Sequence, residues 1–286
     1  MLVPTLAGAL LALAIAVPLA WKWELGVRRV AIAVTAFALL SALAVAALAT
    51  AVDLPAVLRA LLIGGMALAV ALAILAYRFY RDPNRMPPPV DDDVVISPAD
   101  GEIVYVRHSK GGVIPSSTKK GRDYDLVELT KTPLREEDAV VIGIAMSFLD
   151  VHVNRAPIAG RVRLRQHFPG RFGSLGKPEM VYENERATTV IERDDMEIAM
   201  VQIASRLVRQ IASYVKVGEE VTLGQRVGVI RLGSQVDVVL PARPDVTINV
   251  QAGQRVRAGE SVLALVTSAA SSSSESPSSG LVSSAP

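Results

Sequence analysis

The fold is decided in one stretch, residues 60–89, which reads ALLIGGMALAVALAILAYRFYRDPNRMPPP. Its first part, residues 60–77, carries no charge and is rich in Leu, Ile, Ala, Met and Val, as expected of a helix that crosses a bilayer. Aromatic and arginine side chains then follow where such a helix would leave the bilayer, and a run of three prolines favours an extended segment. We therefore predict a membrane region over residues 1–78 and a juxtamembrane linker over residues 79–93.

Two further apolar runs lie upstream, in residues 2–20 and 30–52. Each approaches or exceeds the length of about 20 helical residues that a hydrocarbon core requires. A cleaved signal peptide is the alternative for the first run, but no Lys or Arg precedes it, and signal peptides typically begin with positive charge. The sequence therefore predicts three transmembrane helices.

The basic residues of the short loops predict how these helices are oriented. Lys22, Arg28 and Arg29 lie between the first and second helices, whereas only Arg59 lies between the second and third. Because cytoplasmic loops carry the excess of Lys and Arg, the first loop and the chain after residue 78 are expected in the cytoplasm. This predicts a multi-pass protein of the cell membrane (inner or plasma membrane) with its N-terminus outside.

The chain after the linker is typical of a mainly β (α+β) domain over residues 94–267. Short runs of β-branched residues alternate there with polar residues and are bounded by Gly and Pro, as in strands joined by turns. Residues 204–214 are the best helical candidate. The Ser-rich end, residues 268–286, has little to bury and is expected to be disordered.

Charge and cysteine content exclude several classes of function. Of 30 basic and 28 acidic side chains, residues 78–286 carry 26 of each, so this part is neutral and lacks the basic excess of a nucleic-acid-binding domain. The chain has no cysteine, which excludes disulfides, cysteine-ligated zinc and thiol nucleophiles. We expect neither a nucleic-acid partner nor a bound metal.

An internal repeat indicates the kind of β domain. Two glycine and valine series share one spacing: Gly218, Val221, Gly224 and Val227, then Gly253, Val256, Gly259 and Val262. A related pair joins Pro98 and Gly101 to Pro157 and Gly160. Glycines at this spacing turn short strands sharply, and the pattern resembles the barrel-sandwich hybrids of lipoyl and biotinyl carriers. The segment between the repeats has no lysine to carry a prosthetic group, so a membrane-anchored carrier or adaptor is only an alternative.

Five ordered motifs indicate a family. They are FYRDPNR (residues 79–85), SPADG (97–101), FLDVHVNRAP (148–157), ENER (183–186) and LGSQVD (232–237). Together they resemble the membrane-associated phosphatidylserine decarboxylases, particularly their shorter-chain branch, over about two thirds of the chain. Decarboxylases of the shorter branch that act on ether-linked archaeal serine lipids are an alternative within the same class.

The resemblance implies a self-processing, pyruvoyl-dependent enzyme. The precursor would cut itself between Gly233 and Ser234 into two chains, 1–233 and 234–286, and Ser234 would become an N-terminal pyruvoyl group. This group would take the amine of phosphatidylserine as a Schiff base and release carbon dioxide and phosphatidylethanolamine, with no separate cofactor. A homo-oligomer is left open.

The same resemblance implies the site residues. A triad of Asp100, His152 and Ser234 would perform self-cleavage, with the Asp100 carboxylate orienting the His152 imidazole as in serine hydrolases. The alternatives are a structural histidine and a turn aspartate. The longer bacterial branch typically has a second histidine three residues after the first, whereas this chain has Arg155. Whether His152 alone serves both cleavage and decarboxylation is left open.

Three basic residues are candidates for binding the substrate phosphate. They are Arg155, Lys177 and Arg186.

Overall fold

The computed structural model describes residues 1–23, 25–89, 94–115, 123–177, 179–205, 211–230 and 234–267. Three apolar helices are followed by a mainly β domain, which confirms the predicted fold class. Gly233 and the tail predicted for residues 268–286 lie outside the described residues.

The helices are α1 (Leu2–Lys22), α2 (Val27–Leu48) and α3 (Ala56–Tyr80), and each is long and apolar enough to cross a membrane. Small side chains let them pack closely. A Cβ on Gly8 would come within 2.7 Å of the carbonyl oxygen of Ala60, and a Cβ on Gly64 within 2.8 Å of the Gly8 oxygen. Most of their large apolar side chains face outward, as expected of helices surrounded by lipid.

The β domain contains sixteen strands and two short helices among the described residues. The strands are β1 (Val94–Ile96), β2 (Gly101–Ser109), β3 (Val113–Ile114), β4 (Tyr124–Asp125), β5 (Ala139–Met146), β6 (Val153–Arg155), β7 (Gly160–Phe168), β8 (Arg186–Arg193), β9 (Met196–Ile203), β10 (Ile211–Ser213), β11 (Glu220–Val221), β12 (Arg226–Ile230), β13 (Ser234–Pro241), β14 (Val246–Ile248), β15 (Arg255–Val256) and β16 (Val262–Val266). The helices are α4 (Leu126–Thr130) and α5 (Met180–Glu183).

Eight of these strands form one curled, half-barrel sheet in the order β11-β7-β8-β9-β13-β5-β2-β15. Two three-stranded sheets, β1-β16-β14 and β10-β12-β6, accompany it. Strand β13 lies at the centre, antiparallel to both β5 and β9, and all eight of its residues are buried. A residue at either end of β13 is therefore held by a rigid strand.

The strands fall into two equivalent sets. In the first set β7 pairs with β8 and β11, and β6, β12 and β10 form a small sheet; in the second, β2 pairs with β5 and β15, and β1, β16 and β14 form the other. A two-residue turn, Asp194 and Asp195, joins β8 to β9. Their counterparts β5 and β13 pair in the same way, but the whole first set is inserted between them. The insertion therefore begins after Met146, the end of β5, and ends before Ser234, the start of β13.

The glycines of the predicted repeat occupy equivalent places in the two sets. A Cβ on Gly101 would lie 2.3 Å from the carbonyl oxygen of Ala145, and a Cβ on Gly160 would lie 2.3 Å from that of Glu192. Gly218 and Gly253 share a φ of +88°, a left-handed conformation that favours glycine. The repeat predicted from sequence is therefore confirmed.

The helix predicted over residues 204–214 is wrong where it can be compared. Residues Ile211–Ser213 form β10, which pairs antiparallel with β12; residues 206–210 lie outside the described residues. Pairing with a distant strand outweighs the local helical pattern, because tertiary contacts routinely override helix propensity.

The juxtamembrane segment, residues 81–89, is extended but does not hang free. Arg81 donates a hydrogen bond to the carbonyl oxygen of Leu149 at 3.2 Å. The Asp82 carboxylate accepts one from Nε of Arg226 at 2.6 Å. The segment that begins where α3 ends therefore lies against the β domain.

Candidate active site

Ser234 lies at the start of the central strand and faces a cavity. It is the first residue of β13, opposite Met146 of β5, and only 3% of it is exposed. The cavity, of about 560 Å³, is also lined by Phe148 and Gln235. The Ser234 hydroxyl donates to the Met146 sulfur at 3.5 Å. The proposed scissile bond would join Ser234 to Gly233, which the structure does not describe.

His152 lies beside the chain that leads to Ser234. Its carbonyl oxygen accepts a hydrogen bond from the backbone nitrogen of Ile230 at 3.1 Å, and Ile230 ends β12, three residues before Gly233. This bond joins the start of the insertion, at His152, to the end of its last described strand, at Ile230. The imidazole makes no hydrogen bond to Ser234 in this structure.

The His152 ring is buried, and its nitrogens make no hydrogen bond to the described residues. Only 2% of the residue is exposed. Burial lowers the pKa of His152 below its ordinary value of 6.5. A buried imidazole that is neutral near pH 7 can act as a proton acceptor.

Aromatic side chains connect His152 to the apolar helices α1 and α3. Phe79, near the end of α3, packs on the His152 ring with centroids 4.5 Å apart and on Phe148 at 5.0 Å. Trp23, directly after α1, stacks on Phe148, with ring centroids 5.4 Å apart and ring planes 4° from parallel. We call Trp23, Phe79, Phe148 and His152 the aromatic cluster.

Asp100 is buried near His152 but pairs with Arg85. Both Asp100 oxygens accept hydrogen bonds from the Arg85 guanidinium, the second at 2.9 Å. They also accept from the backbone nitrogens of Ala258 at 2.9 Å and Val151 at 3.3 Å. Burial raises the pKa of Asp100, but the hydrogen bonds from Arg85 and the backbone outweigh it and hold the pKa below its usual range.

The expected hydrogen bond between Asp100 and His152 is therefore not formed in this structure. Asp100 instead fixes the peptide nitrogen of Val151, the residue before His152. A second carboxylate, Asp150, holds the same loop by accepting from the Ser147 backbone nitrogen at 2.7 Å and pairing with Arg255 at 2.6 Å. The loop from 147 to 152 is thus anchored at both carboxylates, and Asp100 acts on its backbone.

Arg155 is not placed to bind a substrate phosphate. It is 4% exposed, and its guanidinium donates to the carbonyl oxygens of Gly224 at 3.0 Å and Pro83 at 2.9 Å and approaches Asp82 at 3.5 Å. These contacts fasten the juxtamembrane segment to the β domain. Its sequence assignment as a substrate ligand is corrected to this structural role.

Arg186 is corrected in the same way. It is 1% exposed and donates to the carbonyl oxygens of Asn184, Glu128 and Leu129. Burial lowers its pKa to about 10. An arginine whose donors are committed to buried carbonyls holds the chain together and is not free to bind a lipid phosphate.

Lys177 stays a candidate because of its position. It is exposed and follows Ser174, Leu175 and Gly176, which line the cavity. Its backbone nitrogen donates to the Ser174 oxygen at 3.0 Å, which closes this loop at the cavity rim.

Sequence reasoning missed a buried polar group behind the cavity. The Tyr105 hydroxyl donates to Asp237 at 2.6 Å, and the Gln235 amide donates to both Asp237 at 2.6 Å and Tyr105 at 2.7 Å. Burial raises the pKa of Asp237 to about 6. The LGSQVD motif contains Asp237 and could have indicated its importance. Tyr105 lies in an ordinary strand pattern, which gave no indication of a role at the site.

Known proteins resemble the chain over the part that holds this site. The sequence model of the phosphatidylserine decarboxylase family matches residues 72–264. A phosphatidylserine decarboxylase proenzyme of Ralstonia nicotianae is 39% identical over 196 residues, 68% of this chain and 79% of that protein. Two proteins provisionally named archaetidylserine decarboxylase proenzyme are similar as well. That of Methanothermobacter thermautotrophicus is 40% identical over 187 residues (65% and 78%), and that of Methanocaldococcus jannaschii is 37% identical over 195 (68% and 91%).

Proposed function

The chain belongs to the phosphatidylserine decarboxylase family, and we propose that it makes its pyruvoyl group from Ser234 by cutting its own chain after Gly233. The enzyme converts phosphatidylserine to phosphatidylethanolamine and carbon dioxide. The observation that carries the assignment of Ser234 and His152 is the buried imidazole with two unpartnered nitrogens, bonded through its backbone to the strand that leads into Ser234. The carrier alternative is set aside, because the family is one of decarboxylases.

Self-cleavage begins with the Ser234 hydroxyl. The Met146 sulfur is a weak acceptor, so Oγ can leave it, rotate and attack the carbonyl carbon of Gly233 while neutral His152 accepts the hydroxyl proton. The C–N bond breaks, the Ser234 nitrogen takes a proton, and an ester joins Gly233 to Oγ. Removal of the Ser234 α-proton then expels the Gly233 carboxylate. The dehydroalanine left behind adds water and loses ammonia, which gives the pyruvoyl group.

The residues around Ser234 fit a pyruvoyl group. A keto group at the first position of β13 would lie opposite Met146 of β5 and face the cavity. Apolar side chains, Met146 and Phe148, line the cavity beside it. Charge is dispersed as carbon dioxide leaves, and this surrounding favours that change.

The pyruvoyl group supplies the electron sink for decarboxylation. The chain supplies the proton. In this proposal, protonated His152 donates to the carbon that has lost carbon dioxide, and the anionic Asp150 and Asp100 nearby favour the imidazolium form. The aromatic contact with Phe79 keeps the ring orientation fixed.

We place the three helices across the membrane, with the β domain on the cytoplasmic side. The basic loop residues favour this orientation. The ends of α1 and α3 both contact Phe148 of the β domain, which agrees with the α1–α2 loop and the β domain lying on one side. A substrate confined to the bilayer then reaches the cavity by lateral diffusion.

Intact-mass measurement of the purified protein tests the proposal. We expect two chains, 1–233 and 234–286, with the second lighter by one ammonia than a chain beginning with serine. Ser234→Ala should stay whole and release no carbon dioxide from phosphatidylserine. His152→Ala should cut at least about 100-fold more slowly, the order of magnitude of a lost general base.

His167→Ala is the matched control, because His167 pairs with Glu185 at 2.9 Å on the surface. It should cut and turn over normally. A whole chain with full decarboxylase activity, or wild-type cutting in His152→Ala, would contradict the assignment. Diacyl and ether-linked phosphatidylserine offered in parallel would decide which glycerol backbone is preferred.

A further inference from the structure

The first membrane helix reaches the cavity that contains Ser234. Lys22, the last residue of α1, and Trp23, directly after it, line this cavity together with Ser234. The family match begins only at residue 72. Part of the cavity wall therefore comes from a segment that lies outside the part shared with the family.

Trp23 is held in place by the active-site loop. Its ring stacks nearly parallel on Phe148, and Phe79 contacts Phe148 as well as His152. Trp21, two residues earlier, is 77% exposed and makes no ring contact among the described residues. The two tryptophans thus have different surroundings, one on the protein and one facing outward.

The position of Lys22 would allow it to bind an anion at the level of the lipid headgroups. It is exposed and ends a helix that is long enough to cross the bilayer, so its ammonium lies near the level of lipid headgroups. The basic side chains lining the described part of the cavity are Lys22 and Arg107, and the Arg107 guanidinium lies over the Tyr105 ring at 4.2 Å. Lys22 is therefore the more adaptable cation at the membrane end.

We propose that α1 completes the substrate site: Lys22 binds the phosphate of the serine phospholipid, and Trp23 positions the loop of His152 through Phe148. This rests on the proposed function of Ser234. In a serine phospholipid the phosphate lies between the acyl-bearing glycerol and the reacting serine. A lipid whose serine reaches Ser234 and whose chains stay in the bilayer places its phosphate toward the membrane end of the cavity, where Lys22 lies.

The test for Lys22 is steady-state kinetics on the full chain, with phosphatidylserine in vesicles of phosphatidylcholine. Lys22→Ala should still be cut into two chains. Its KM should rise about tenfold or more, as expected for a lost charge-assisted hydrogen bond, with kcat within about twofold of wild type. Lys22→Arg should restore most of the affinity. Arg28→Ala is the control, an exposed basic residue at the start of α2 that does not line the cavity, and it should behave as wild type.

Salt separates a bound phosphate from general attraction to the membrane. At about 0.5 M NaCl the screening length is only about 4 Å, so a direct contact should preserve the KM difference between Lys22→Ala and wild type. A difference that disappears in salt, or equal KM values at low salt, would overturn the Lys22 proposal. Failure of the wild-type chain to cut or turn over would instead overturn the proposed function.

Trp23 is tested against its neighbour. Trp23→Ala should lower kcat at least about fivefold, on the order of one lost aromatic contact, and leave KM within about twofold. Trp23→Phe, which keeps a ring on Phe148, should recover most of kcat. Trp21→Ala should match wild type. Equal loss in both alanine variants, or no recovery with phenylalanine, would contradict a positioning role for Trp23.

Discussion

At the scale of single residues, burial determines the charge of His152. Because the folded environment lowers its pKa below 6.5, the imidazole stays neutral through mildly acidic pH and can accept the Ser234 proton. We expect the rate of self-cleavage to be flat above pH 6.5 and to reach half its maximum below that pH. Stopped time courses on gels, started from precursor made by cell-free synthesis, measure the profile. A midpoint above pH 6.5 would show that the carboxylates of Asp150 and Asp100 outweigh burial.

Asp237 gives a second prediction, about stability. Its pKa rises from 3.8 to about 6 on folding, so the folded chain binds more protons than the unfolded chain between these values. Stability from this group is therefore present below about pH 4 and is lost as pH rises to about 6, by about 3 kcal/mol at most. Melting temperatures in detergent should fall across this window.

Asp237→Asn should remove that part of the pH dependence, since an amide does not titrate there. Its hydrogen bonds with Tyr105 and Gln235 can be re-formed by an amide group. Asp194→Asn, an exposed substitution in the turn between β8 and β9, is the control and should keep the wild-type slope. Equal slopes in all three proteins would show that Asp237 is ionised when folded.

At the scale of elements, the repeated glycines are set by the close approach of paired strands. Gly160→Ala would place a Cβ 2.3 Å from the Glu192 backbone oxygen. Relieving this clash requires the paired strands to move apart, which costs free energy. We expect it to lose about 2 kcal/mol or more, measured as a lower melting temperature of the detergent-solubilised protein. Gly253→Ala meets nothing within 4 Å and bears only the cost of its φ of +88°, about 1 kcal/mol. A loss no greater in Gly160→Ala than in Gly253→Ala would contradict a steric role.

These glycines also show what the sequence could predict. A glycine required by a local backbone shape leaves a spacing that can be read without the structure, and the repeat was found that way. The roles of Arg155 and Arg186 could not be read, because residue type does not reveal that carbonyls from distant segments surround each guanidinium. The prediction of a helix over residues 204–214 was wrong for the same reason. Part of this segment, β10, pairs with β12 further along the chain, and residue type does not reveal that pairing.

At the scale of the whole molecule, the insertion explains why the site residues meet. β5 and β13 pair as neighbours although the whole first set of strands lies between them in sequence. His152 lies near the start of this insertion, and Ser234 is the first residue after it. The order of the motifs predicted the family and its site residues. It did not show that the segments of His152 and Ser234 lie close together, which follows from the strand topology. The contact of Trp23 with Phe148 left no sequence pattern. Arg85 ends the FYRDPNR motif, but the motif does not reveal that its partner is Asp100, because the two residues lie in different motifs.

The orientation of the molecule in the membrane can be measured on single cysteines, since the natural chain has none. Asp53 lies in the α2–α3 loop with a fully exposed side chain, and Arg28 is exposed near the start of α2. With the β domain in the cytoplasm, Asp53→Cys should react with a membrane-impermeant maleimide on intact cells. Arg28→Cys should react only after the membrane is permeabilised.

Both variants should first be shown to cut into two chains, which establishes that the β domain has folded. The reverse labelling pattern would place the β domain outside. Labelling of both positions on intact cells would mean that α2 does not span. Because α1 and α3 end at the same loop of the β domain, the position of that domain follows from the side on which Arg28 lies: a chain that keeps the Trp23 and Phe79 contacts cannot have its first loop and its β domain on opposite faces.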